Sequence, residues 1–269
     1  MEPVPSLPGD APGGPVMVHS GAGPTAVYVE RGDRDAMLAT HRAHLHAIAD
    51  GRPLWVPVFN YGFCRGEQLR VDATPSELGP IGESYRMTTA TWRTPVPVFS
   101  FAGSEDPPAA LAARSGEIDP FDAASAFGEL VDRDGVIVWY GAPLDATTFI
   151  HHVERRAGGP LYRYDKRFRG VVADAAGERD VELVYHVRPA GAHLDYRWDD
   201  LAADARRTEV VMPLDPVGRI RWASARRLAD AWLAALAADP FALLDRASRE
   251  GVGRRVEQLG RRLQIGDFE

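Results

Sequence analysis

Apolar residues recur along the chain in patterns that predict strands alternating with helices. The runs at 53–59 and 136–140 are short, continuous and apolar, which is typical of buried strands. Residues 33–50 and 146–156 instead carry apolar side chains at helical spacing. A shorter apolar stretch at 16–19 predicts another strand. We therefore predict an α/β fold in which helices are layered around a central mixed sheet.

The last third of the chain has a different texture. Residues 179–186 alternate between apolar and polar side chains, which predicts a strand that pairs with 171–174 through a turn. The other elements predicted here are a strand at 220–222 and helices at 194–207, 224–237 and 239–249, the last opened by Asp239 and Pro240.

The chain is predicted to form one domain. Residues 1–15 are rich in proline and glycine, and we expect a disordered or loosely docked arm there. Neither an internal repeat nor a further linker is recognisable after this arm. Residues 16–269 are therefore assigned to a single domain.

Composition limits the classes of partner. The 269 residues and 45% apolar content are ample for a large core. A net charge of −7 argues against a nucleic-acid partner, which requires a basic surface, and is compatible with a cationic substrate. The single cysteine, Cys64, excludes an internal disulfide and suits a reducing compartment. Because neither a segment of membrane-spanning length nor a signal peptide is present, we expect a cytoplasmic protein without a membrane partner.

One helix carries the strongest candidate chemistry. His151 and Glu154 lie three residues apart, so they share a helix face and can converge on one target. They follow the predicted strand at 136–140, and open α/β sheets commonly place ligands at the ends of such strands. We expect Thr147 or Thr148 to cap this helix. A surface pair without function is the alternative.

Three histidines on the helix at 33–50 predict no metal site. His41, His44 and His46 have no matching cluster of cysteines or carboxylates nearby in the sequence. We therefore place His41, Arg42 and His44 on a solvated face of that helix, with the apolar side chains on the other.

The pattern T-x-x-H-x-x-E, formed by Thr148, His151 and Glu154, resembles the signature of the aminoglycoside 3-N-acetyltransferase family, also called antibiotic N-acetyltransferases. Other segments that resemble this family stand in the family's order, and the resemblance covers residues 16–170. These segments are V-H-S at 18–20, T-P-S-E-L-G at 74–79, R-T-P-V-P-V-F-S at 93–100, and residues 125–130. The last third is more similar to relatives found beside polysaccharide or natural-product biosynthesis genes.

The resemblance implies an N-acyltransferase that moves an acetyl group from acetyl-CoA to an amine of an amino sugar or another biosynthetic amine. His151 would act as base or position a water molecule, and Glu154 would orient His151 or bind the ammonium. Asp145 is assigned to the substrate site. Asn60 and Tyr61, which follow the strand at 53–59, are assigned to the same site. The residues expected at the coenzyme are His19, Ser20, Thr74, Arg93 and Ser100. A homodimer is left open.

One departure from the family pattern bears on catalysis. Where the family has a histidine that is taken as general base, this chain has Val96, between the matching residues Arg93 and Ser100. Valine cannot accept a proton, so another residue does this work, the acceptor is more reactive, or catalysis is lost. The alternative function is therefore a non-catalytic protein that binds coenzyme A or another ligand. A third hypothesis, nucleophilic catalysis by Cys64, is less favoured than an inert thiol.

Overall fold

The computed structural model describes residues 3–108 and 116–267. The strands are β1 (Val16–Ser20), β2 (Leu54–Pro57), β3 (Leu69–Arg70), β4 (Trp92–Arg93), β5 (Phe101–Gly103), β6 (Gly116–Ile118), β7 (Val136–Tyr140), β8 (Tyr164–Asp174), β9 (Gly177–Val187), β10 (Met212–Pro213) and β11 (Ile220–Ser224). The helices are α1 (Ala22–Thr25), α2 (Arg34–Ala49), α3 (Pro80–Thr88), α4 (Ala126–Asp132), α5 (Phe149–Arg156), α6 (Trp198–Arg207), α7 (Ala225–Ala238), α8 (Arg246–Ser248) and α9 (Arg254–Leu259).

A seven-stranded sheet forms the centre of the fold, in the order β10-β11-β7-β1-β2-β5-β4. Strand β1 is parallel to both β2 and β7, whereas β5 and β11 are antiparallel to their inner neighbours. The predicted central mixed sheet is thus confirmed. Register pairs Ser20 with Tyr140, so β1 and β7 end at the same edge of the sheet.

Both faces of the central strands are buried, which explains their continuous apolar sequences. Met17 and Ile137 belong to a core cluster that also contains residues of α4, α5 and α7. Val16 and Val138 belong to a second cluster, shared with α2 and α3. Helices therefore cover the sheet on both sides.

A second sheet has four strands in the order β3-β8-β9-β6. Its centre is the hairpin of β8 and β9, which extends the predicted strand pair in both directions. Arg169 pairs with Glu182 across the hairpin on a solvent-facing side. The far end of β9 carries Tyr185 and His186 toward α5, because their rings pack against Phe121 beside that helix.

The helix predicted at 239–249 and the solvated face predicted for α2 are both wrong. No helix opens at Asp239; its side chain accepts a hydrogen bond from Phe241 N at 3.0 Å, a local turn that competes with helix formation. The next helix begins only after Asp245, whose side chain caps it. His41 is buried and His44 is half-buried rather than solvated. The Nδ1 atoms of both imidazoles lie within hydrogen-bond distance of the Tyr140 hydroxyl, at 2.8 and 2.9 Å.

The N-terminal segment is docked where the structure describes it. Residues 3–15 have no helix or strand, and residues 1 and 2 lie outside the described ranges. Leu7 is buried, and its N–H donates to Ile48 O at 3.2 Å. The boundary of the arm at residue 15 stays a prediction. Across residues 3–108 and 116–267, none of the helices has both the length and the apolar character required to cross a bilayer.

Candidate active site

Glu154 lies at the centre of a buried hydrogen-bond network. Its side chain is fully buried on α5. Oε2 lies 2.9 Å from His151 Nδ1 and 3.0 Å from His186 Nε2. Oε1 accepts hydrogen bonds from the hydroxyls of Tyr162 and Tyr196, each at 2.7 Å. A carboxylate with this many donors is held in one position and remains ionised.

The connection between β7 and α5 fixes where this network lies. A 3₁₀ turn at Leu144–Ala146 precedes Thr147, whose hydroxyl donates to Leu144 O and accepts from Trp139 Nε1 at 2.8 Å. Neither Thr147 nor Thr148 caps the helix with its side chain, so this prediction is wrong. Thr147 instead ties the helix start to the preceding strand.

Charge and burial set the protonation states at the site. Burial alone would raise the pKa of Glu154, but the charge of Arg163 and the hydrogen bonds from the imidazoles outweigh it and hold this pKa well below its usual range. Burial lowers the pKa of His151, and only part of this effect is offset by Glu154. Burial also lowers the pKa of His186, to about 3. Both imidazoles are therefore neutral at pH 7.

These protonation states give His151 the form of a general base. Because the carboxylate of Glu154 only accepts, Nδ1 of His151 carries the proton that points toward it. The lone pair is then on Nε2, the other nitrogen. The side chain of His151 is 22% exposed, whereas that of Glu154 is 0% exposed. Two roles were predicted for Glu154. Because its side chain is buried, the geometry favours orientation of His151 and disfavours direct contact with the ammonium.

Several residues of the network were not predicted from the sequence. His186 comes from β9, and Tyr196 lies just before α6. Arg163 donates to the Tyr196 hydroxyl at 3.0 Å, and its Nε lies 3.7 Å from Glu154 Oε2. No spacing relative to His151 marks these side chains, because tertiary packing brings them to α5.

The same cluster has the donor types of a metal site. One ligand atom each from His151, Glu154 and His186 lies within 4.8 Å of the others. However, the shortest distances are hydrogen bonds to one carboxylate oxygen, and the Arg163 guanidinium lies beside that oxygen. A cation placed there would be repelled by Arg163. We interpret the cluster as a hydrogen-bonded network.

A cavity of about 330 Å³ opens above this network. Aromatic side chains form much of its wall, and the charged groups Asp145, Arg163, Arg188 and Asp195 also line it. Its other lining residues are Tyr61, Phe99, Thr147, Thr148, Ile150, His151, Tyr185, His186, Val187, Leu194, Tyr196 and Trp198. We call it the acceptor cavity, because it is lined by His151, the predicted base for the acceptor amine.

A second cavity of about 270 Å³ lies at the ends of β1 and β2. It is lined by His19 and Ser20, which are predicted to contact the coenzyme that donates the acetyl group, and we call it the donor cavity. It shares three lining residues, Tyr61, Asp145 and Thr148, with the acceptor cavity. His19 Nε2 is buried without a hydrogen-bond partner, and burial lowers the pKa of this imidazole to about 4. It therefore offers a neutral polar atom to a ligand.

Other predicted site residues line neither cavity and bond to the protein itself. Asn60 is engaged by Pro75 O and by the N–H of Gly62. Arg93 donates to Val58 O, to Thr74 O and to Ser100 Oγ, so its guanidinium joins three segments of chain. These bonds hold the loops beside the donor cavity, and the roles predicted for Asn60, Thr74, Arg93 and Ser100 stay predictions.

The segment around Val96 shapes the acceptor cavity indirectly. Val96 is 3% exposed within the core and lines neither cavity. Val98 has a φ of +64°, an uncommon conformation for a β-branched residue, and Phe99 N donates to Pro97 O at 2.7 Å across it. This tight turn presents Phe99 to the acceptor cavity.

Known proteins share this sequence pattern and architecture. A family model described as aminoglycoside 3-N-acetyltransferase matches residues 39–235. The solved structure of AAC-IIIb with CoASH is similar with a TM-score of 0.66 and 18% identity, covering 84% of this chain and 90% of that chain.

Two further solved structures have the same fold. A histidine-to-alanine variant of the aminoglycoside acetyltransferase AAC(3)-IVa, in complex with apramycin, has a TM-score of 0.62 and 20% identity, with 87% of this chain and 89% of that chain covered. YokD from Bacillus subtilis has a TM-score of 0.62 and 15% identity, with 84% and 87% covered. No curated protein sequence matches this chain.

Proposed function

This chain belongs to the aminoglycoside 3-N-acetyltransferase family, and we propose that it transfers the acetyl group of acetyl-CoA to an amine of an amino sugar or another biosynthetic amine. The family and the fold support acetyl-CoA-dependent N-acetylation in general. The unpaired Cys64 is consistent with the cytoplasmic location that we propose for this reaction.

One observation carries the proposal. The His151 imidazole, oriented by a buried carboxylate at 2.9 Å, lines a cavity that adjoins a second cavity at Tyr61, Asp145 and Thr148. Two cavities that meet beside a neutral imidazole are suited to bring two substrates together and remove one proton. His151 Nε2 is the atom that would take the proton of the attacking amine.

The donor cavity fits the arm of the coenzyme by its size and polarity. Bound acetyl-CoA supplies a thioester, whose acetyl group is the group to be transferred. The unpartnered Nε2 of His19 can form a hydrogen bond with an amide of such an arm. Ser20 lies beside it at the end of β1. A cavity of about 270 Å³ is too small for the whole coenzyme, so we place only its pantetheine end there.

The aromatic walls of the acceptor cavity are consistent with an amine attached to a ring. Tyr61, Tyr185 and Trp198 contribute large, rigid surfaces, and aromatic faces attract cations such as an ammonium. Asp145 lies where the cavities meet and can attract the amine before it is deprotonated. We therefore retain Tyr61 and Asp145 as substrate-binding residues.

The alternative, a non-catalytic binding protein, depends on Val96. The valine lies in the core and lines neither cavity, so its identity does not remove a base from the space beside His151. We therefore propose that His151 takes the proton-accepting role in this chain.

An assay of coenzyme A release tests the proposal. The thiol freed from acetyl-CoA is followed with a chromogenic thiol reagent over a panel of amino sugars. We expect His151→Ala to lower kcat by about a hundredfold or more, the usual contribution of a general base. The matched control is His46→Ala, since His46 packs on Tyr85 and lines neither cavity. Coenzyme A at about a hundred times its Kd should stabilise each protein by about 2.7 kcal/mol.

Two results would contradict the proposal. If coenzyme A raises the Tm but no acceptor yields free thiol, the protein binds the coenzyme without catalysis. If millimolar coenzyme A leaves the Tm unchanged, the donor cavity does not serve this ligand.

A further inference from the structure

We propose that the acceptor carries an anionic group, a carboxylate or a phosphate, near its reactive amine, and that Arg188 binds this anion. The inference rests on the proposed acetyl transfer and names its substrate class. It comes from the charges that line the acceptor cavity, which include both arginine and aspartate side chains. A polycationic acceptor would instead require walls of predominantly negative charge.

The buried charges of the site compensate each other. Arg163 Nε lies 3.7 Å from Glu154 Oε2, and both side chains are at least nine-tenths buried. Arg163 also donates to the Tyr196 hydroxyl. Because Glu154 already balances Arg163, neither charge needs a ligand, and the remaining charges decide which ligand fits.

Arg188 is the cation that remains for a ligand. It is exposed, it lines the acceptor cavity, and within residues 3–108 and 116–267 it forms neither a hydrogen bond nor an ion pair. It lies close enough to His151 for its charge to affect that imidazole. An anion bound by Arg188 would therefore lie near the amine that His151 deprotonates.

Asp145 provides the opposite charge at the junction of the two cavities. It is exposed and makes no hydrogen bond to another residue that the structure describes. Asp195, the other carboxylate, is partly engaged, because its Oδ1 accepts from Tyr196 N at 2.8 Å and from Trp198 Nε1 at 3.2 Å.

A ligand with both charges satisfies both free side chains. Its ammonium can approach Asp145, while its anion receives the two parallel hydrogen bonds that a guanidinium offers to a carboxylate or phosphate. A neutral amino sugar would leave Arg188 without a partner, and a polycation would be repelled by it. An anionic amino sugar is therefore the substrate class that the cavity fits best.

Binding measurements test this inference independently of turnover. Glucosamine, glucosamine 6-phosphate and 2-amino-2-deoxyglucuronate are titrated into the full chain saturated with coenzyme A, and Kd is measured by calorimetry. The three ligands share one amino-sugar ring and differ in their anion. We expect at least one anionic ligand to bind about ten- to a hundredfold more tightly than glucosamine, the usual effect of a hydrogen bond to a charged group.

The variant Arg188→Gln should remove this preference and leave the Kd of glucosamine within about threefold. Arg156→Gln is the control, because Arg156 is also exposed but lines neither cavity. Preference for the phosphate over the carboxylate, or the reverse, identifies the anion. Equal binding of all three ligands, or a preference that survives Arg188→Gln, would overturn the inference.

The same ligands separate the inference from the proposed function. If glucosamine is acetylated with the same kcat/KM as the anionic sugars, acetyl transfer stands and the anion site is refuted. If the anionic sugars bind selectively but none is acetylated, the anion site stands and the proposed acetyl transfer fails.

Discussion

Replacing Glu154 with glutamine should separate the catalytic and structural contributions of the buried network. The amide oxygen can still accept from Tyr162 and Tyr196, which bond to Oε1. The amide N–H₂ then faces His151 Nδ1 and His186 Nε2 and donates where the carboxylate accepted. His151 must therefore carry its proton on Nε2, the nitrogen assigned as base. We expect kcat to fall by about a hundredfold to ten-thousandfold.

The same substitution leaves Arg163 buried without its counter-charge. A pair at 3.7 Å interacts with about 4 kcal/mol at an effective dielectric constant of about 20, within the range measured when buried pairs are broken. In large domains each kcal/mol shifts the Tm by about 2 to 4 °C, so Glu154→Gln should lower it by about 8 to 16 °C. Thermal melts measure the loss of stability. Turnover measured at 15 °C reports the loss of kcat while the variant is still folded.

Asp215→Asn is a matched control for this loss of stability. Asp215 is also buried, accepts from a tyrosine hydroxyl at 2.9 Å, and lies 3.7 Å from an arginine, but it lines neither cavity. We expect a lower Tm with an almost unchanged kcat. If Glu154→Gln keeps kcat within about threefold while its Tm falls, the carboxylate is structural and does not set the tautomer of His151.

Two further predictions concern pH and the missing family histidine. The pKa of His151 is lowered by burial and by the Arg163 and Arg188 charges, against the effect of Glu154, with His186 and Tyr196 as its other polar neighbours. Because the neutral form is the base, kcat should rise with pH through a midpoint below about 6.5, the usual imidazole pKa, and Arg188→Gln should move this rise to higher pH; a profile unchanged by Arg188→Gln contradicts this assignment. Val96→His should lower the free energy of unfolding by about 2 to 7 kcal/mol, measured with urea, because it buries an unpaired polar ring in the core; faster acetyl transfer with unchanged stability would instead show that position 96 faces the reacting groups.

The pattern of apolar residues was sufficient to predict the central strands, because both faces of β1 and β7 are buried and residues 16–18 and 136–140 are continuously apolar. His151 and Glu154 were also predictable, since their contact is local and follows from helix spacing. His186 was not, because its contact with Glu154 spans 32 residues and depends on how the hairpin packs against α5. For Arg93, the family-like motif predicts a contact with the coenzyme, and this stays a prediction; the structure adds bonds to backbone oxygens and to Ser100 that the motif does not indicate.

The parallel pairing of β1 with β7 explains why the two cavities meet. Parallel strands that end at one edge bring their following loops together, as in other open α/β sheets. Ser20 pairs with Tyr140, so the loop that leaves β7 passes beside the donor cavity before it reaches α5. Asp145 lies in this loop and lines both cavities. A change in this loop should therefore affect binding of both substrates, whereas a change at Arg188 should affect the acceptor alone.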